Sequence, residues 1–101
     1  MNPSQKSITE VANLVVIPDQ SEAFISNFKL AARLISRQSG YRSHRLIRHL
    51  QVENRFMLIV EWDSVEAHQK GFRLSKDYQE WKALLHHFYD PFPMVEYFQD
   101  V

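Results

Sequence analysis

His68 is the side chain in this sequence best suited to moving a proton near neutral pH. An unperturbed imidazole can accept or give a proton as a general base or acid. At helical spacing its neighbours are Val65 and Phe72, so the ring is expected to face inward. Trp62 and Phe72 would form an aromatic wall beside it. Arg73 carries a planar fork suited to a carboxylate or a phenolate. Asn13 is the one amide in an otherwise apolar strand, able to bond a neighbouring backbone group. Plainer uses stand beside these: a histidine at the core edge, a tryptophan that only packs, an arginine paired with a surface acid.

Other groupings are less promising. Arg42, His44, Arg45, Arg48 and His49 make a basic stripe, which strand alternation splits between two faces. Charges that block unwanted pairing at a sheet edge explain it better than nucleic-acid binding does. His86 and His87 are adjacent, so on a helix they point about 100° apart, and no metal site is expected. Tyr78, Trp81, Phe88, Tyr89 and Phe92 form an aromatic group that packs the second helix and the final turn, with pocket walls as a second use. A glycine-rich phosphate loop, a nucleophile elbow and a paired-carboxylate motif are all missing.

The composition narrows the classes. A chain of 101 residues suits one domain, residues 1–101, with residues 1–7 as a polar arm. Twelve basic and twelve acidic residues cancel, so no overall field draws nucleic acid or an anionic membrane. With no cysteine, disulfides, thiolate metal sites and cysteine nucleophiles are out. The polar N-terminus and the lack of a membrane-length apolar run make the cytoplasm the expected location.

The elements that must position these residues follow from patterning. Ile8 to Ile17 reads as a strand that Pro18 ends. Asp19, Gln20 and Ser21 offer helix caps, and Phe24, Phe28, Ala31 and Ile35 recur at helical spacing until Ser39-Gly40. Tyr41–Leu50 and Arg55–Trp62 form a hairpin. Asp63, Ser64 and Glu66 cap a helical region that breaks near Ser75 and reaches about His87. The prolines of Tyr89–Pro93 make a turn before a final strand, Met94–Val101. The order β-α-β-β-α-β is the ferredoxin-like α+β arrangement, an antiparallel sheet with helices on one face. Both sheet faces look apolar, Phe56, Leu58, Val60 and Trp62 on one side and Met57 and Ile59 on the other, so a homodimer through the sheet faces is expected.

The stretch Leu58 to Tyr97 resembles the antibiotic biosynthesis monooxygenase (ABM) family. The likeness lies in the strand ending at Trp62, the Ser64-x-Glu66-Ala67-His68 helix start, and Phe72-Arg73-x-Ser75 followed by Tyr78 and Trp81. It implies a dimeric α+β barrel whose subunits each keep a pocket between sheet and helices. It also implies a cofactor-independent monooxygenase acting on a small phenol, anthrone or quinol-like aromatic with O2. On that reading His68, Trp62 and Asn13 are catalytic, Phe72, Arg73, Tyr78 and Trp81 bind substrate, and no cofactor or metal takes part. The same family implies two alternatives, a non-catalytic dimeric module for a small molecule and a haem-binding or haem-degrading protein with a histidine as axial ligand.

Overall fold

A computed structural model describes residues 7–101, so the expected arm falls outside the described residues except for Ser7. Four strands form one antiparallel sheet in the order β2-β3-β1-β4, with β1 at Ile8–Val15, β2 at Tyr41–Arg48, β3 at Arg55–Trp62 and β4 at Val95–Phe98. The α-helices α1 (Ser21–Ser36) and α2 (Lys76–Leu85) complete the ferredoxin-like β-α-β-β-α-β order. Two short helical pieces flank α2: a π-helical turn, Ala67–Phe72, and a 3-10 turn, His86–Phe88.

Alternation along the strands selects the core. Ala12, Leu14 and Val16 turn inward with Phe56, Leu58, Val60 and Trp62, and α1 adds Phe24, Phe28, Ala31 and Ile35. Phe24 sits at the centre of the aromatic packing, its ring centroid 5.0 Å from Phe56 and 5.8 Å from Phe88. The opposite face carries Val11, Val15, Met57 and Ile59, which stay half-buried, and no helix covers it.

Several boundaries differ from the sequence expectation. β1 stops at Val15, and Val16 keeps only an isolated bridge to Tyr89. Gln20 occupies the cap position of α1 without a side-chain bond, because Ser21 Oγ turns instead to the Glu53 carbonyl, at 3.3 Å. β2 ends at Arg48, where His49 Nδ1 accepts the Val52 N–H of the hairpin turn. β4 is four residues long and leaves Met94 and residues 99–101 outside the ladder. The helical region after β3 is not continuous α-helix. Ser64 Oγ caps its start at the Ala67 N–H (3.1 Å), the backbone then winds wider, and Ser75 restarts α2 by accepting the Tyr78 N–H. Among the described residues no helix is long and apolar enough to cross a membrane.

Candidate active site

β1 carries a carboxylate on its core-facing side. Glu10 lies in register with Ala12 and Leu14, paired with Val60 of β3 and Tyr97 of β4. It is only 5% exposed, and a buried acid must find partners or lose its charge. Its Oε1 accepts the Trp62 indole N–H at 2.8 Å, and its Oε2 lies 3.4 Å from His68 Nε2. The other imidazole nitrogen, Nδ1, is 2.6 Å from the Tyr97 hydroxyl. The outcome is a chain of polar groups, Trp62–Glu10–His68–Tyr97, sunk in an aromatic core.

The π-helical turn sets this geometry. A bond from the Arg73 N–H to the His68 carbonyl (2.9 Å) closes a ring one residue wider than an α-turn. It leaves His68 and Phe72 both buried against Trp62, with ring centroids 5.5 and 6.0 Å from the indole. Arg73 emerges at the end of the turn as an exposed side chain.

Burial controls the charges. Desolvation, helped by the positive Arg73, pushes the His68 pKa down to about 4, so the ring is neutral at pH 7. Its approach to Glu10 is therefore a contact of neutral imidazole with a carboxyl group and not an ion pair. Burial raises the Glu10 pKa, while the Trp62 N–H and the charge on Arg73 hold part of that rise back. Two proton arrangements satisfy the chain. Either Tyr97 donates to Nδ1 and Nε2–H faces an ionised Glu10, or Nδ1–H donates to Tyr97 and a protonated Glu10 faces Nε2. In both, Nδ1 of His68 is hydrogen-bonded, and Nε2 stands 3.4 Å from Glu10. Glu10 has acceptor positions to spare.

A cavity of about 60 Å³ opens between the sheet and α2. Glu10 and His68 line it with Phe72, Arg73, Tyr78 and Trp81, and His86, Tyr89 and Phe92 contribute from the chain after α2. Such a space takes a handful of waters, since one water needs roughly 10–15 Å³ on this measure, and so it suits a single small ring.

The expected site residues divide on this map. His68, Phe72, Arg73, Tyr78 and Trp81 converge on the cavity. Trp62 does not line it: the indole is fully buried and contributes its N–H to Glu10, so its part in the expected aromatic wall falls to Phe72 and Trp81. Asn13 is exposed on the far face of the sheet, beside Met57 and Arg55, because strand alternation turns it away from Ala12 and Leu14. The central residue that sequence reasoning missed is Glu10. Its signal was present, a charge at a core-facing position of an apolar strand. Tyr97 and His86 were also passed over as site residues, since their places depend on tertiary packing.

Known proteins share the family and the fold. A family model described as antibiotic biosynthesis monooxygenase matches residues 7–84. The uncharacterized protein YczJ of Bacillus subtilis (strain 168) is 46% identical over 94 residues, covering 93% of this chain and 99% of that protein. A crystal structure from Bordetella bronchiseptica, of the antibiotic biosynthesis monooxygenase type, superposes with a TM-score of 0.91 at 32% identity, over 96% of this chain and 99% of that one. SnoaB, a cofactor-independent oxygenase from Streptomyces nogalater, superposes with a TM-score of 0.76 at 20% identity, over 95% of this chain and 92% of that one, a likeness of fold alone.

Proposed function

The chain belongs to the antibiotic biosynthesis monooxygenase family, and on that premise we propose that it oxidises a small phenolic or quinol-like substrate with O2, using Glu10 as the proton acceptor. The observation that carries this reading is the buried carboxylate lining the cavity, bonded by Trp62 and set beside His68, with acceptor positions left over. Glu10 takes the phenolic proton. The phenolate then gives an electron to O2, and recombination of the radical pair forms a hydroperoxide at the ring carbon. Loss of water leaves a carbonyl there, so one oxygen atom enters the product and the other departs as water. Phenol plus O2 becomes quinone plus water, and the substrate itself supplies every reducing equivalent.

His68 and Trp62 act as positioning residues, fixing the carboxylate from behind, and the relay through His68 to Tyr97 gives the accepted proton a route away from the site. Phe72 and Trp81 supply the apolar walls that hold a ring and keep water out. Asn13 has no part on this side of the sheet. The test is oxygen uptake by the purified protein with small phenols and hydroquinones. Glu10→Gln keeps an acceptor for the indole and is expected to lose at least about 100-fold in rate, the usual worth of a positioned base. Equal rates for variant and wild type would remove Glu10 from the chemistry.

A further inference from the structure

We propose that the cavity Glu10 lines also holds a carboxylate subsite built around Arg73, so that the substrate is a small aromatic acid with a ring hydroxyl. This rests on reading the cavity as a substrate site.

Arg73 lines the cavity, and among the described residues it makes no salt bridge and no side-chain hydrogen bond. Arg37, Arg42 and Arg48 pair with Asp77, Asp63 and Glu53 on the surface, and of the arginines only Arg73 lines this cavity. The Arg73 charge acts instead on cavity groups, contributing to the shifts of Glu10, His68, Tyr78 and His86. Its backbone is anchored by the π-turn bond to His68 and by the Ser75 N–H to the Phe72 carbonyl, so the guanidinium is presented from a fixed base.

The groups around it are neutral donors. His86 is wedged edge-on against Phe92, with centroids 4.9 Å apart, and against Tyr78, and burial lowers its pKa. Burial also keeps the Tyr78 and Tyr89 hydroxyls protonated. The cavity thus offers a cation and donors together with an acceptor. A hydroxyl at Glu10 and a carboxylate at Arg73, joined by one ring, would complement both groups within the small volume.

The experiment is a calorimetric titration at pH 7 with para-hydroxybenzoate and with para-hydroxybenzamide, its uncharged counterpart, on wild type, Arg73→Met and Glu10→Gln. The acid is expected to bind about ten-fold tighter than the amide, a preference that vanishes in Arg73→Met. Glu10→Gln, which removes a like charge from the cavity, should keep that preference while losing oxygen uptake. Equal binding of acid and amide, a preference that survives Arg73→Met, or no binding of either would overturn the subsite. Preferential acid binding without oxygen uptake from any substrate would instead defeat the oxygenase reading and leave the subsite standing.

Discussion

Glu10 and His68 titrate in opposite senses, and this gives the site a signature in stability. His68 is held near a pKa of about 4 against 6.5 when unburied, so between those values the unfolded chain binds more protons. Stability is therefore lost as the pH falls from 6.5 towards 4, by at most about 3 kcal/mol from this residue. Glu10 offsets part of the loss, because its raised pKa gives a contribution that is present in acid and fades as the pH rises. His68→Gln should flatten the decline, measured as urea unfolding free energy at pH 6.5 and pH 4.5. Parallel declines in variant and wild type would show that the imidazole is not buried in this way. The same pair shows what was legible in the residues. His68 announced itself by type and by its spacing to Phe72. Glu10 was hidden by position, since the significance of one acid in an apolar strand appears only when Ala12 and Leu14 are known to face the core.

At the level of elements, the π-helical turn and the loop that presses on it determine where His68 points. Gly40 has φ +84°, and a Cβ placed there would stand 2.7 Å from the Ala67 Cβ, at the first residue of the π-turn. Gly40→Ala is expected to cost more than about 1 kcal/mol, both for the left-handed backbone and for the clash. Gly71, inside the turn, has only the Glu66 carbonyl near its virtual Cβ, at 3.9 Å, so Gly71→Ala should be neutral or stabilising by about 0.5 kcal/mol. Thermal unfolding of the two variants checks the pair, and similar midpoints would mean that Gly40 does not brace the turn. Period-two alternation made β1 and β3 readable, and the Phe24, Phe28, Ala31, Ile35 spacing did the same for α1. The π-turn was not readable: a wider winding needs no unusual residue, and here the packing of His68 and Phe72 on Trp62 accompanies it. The end of β4 was overextended because Met94 and Val101 look like strand residues but find no ladder partner.

At the scale of the whole molecule, no described helix covers one face of the sheet. Ile47, Met57, Ile59 and Val11 lie there beside Phe98, which is 52% exposed. A face of this kind is expected to bury itself against a second copy around a two-fold axis. Light scattering should then return twice the 12.0 kDa chain mass, and Ile59→Glu, at the middle of the central strand β3, should return the chain mass with the fold retained by circular dichroism. A wild-type monomer at micromolar concentration would contradict the dimer. The cavity lies on the other side of the sheet, so either oligomeric state leaves the proposed chemistry open to test. The most direct measurement is oxygen uptake in isotopically labelled O2 with a small phenolic acid, followed by mass analysis of the product. The account predicts uptake matched to quinone formation, one labelled atom in each product molecule, and a rate at least about 100-fold lower in Glu10→Gln. Unlabelled product, or a Glu10→Gln rate equal to wild type, would contradict it.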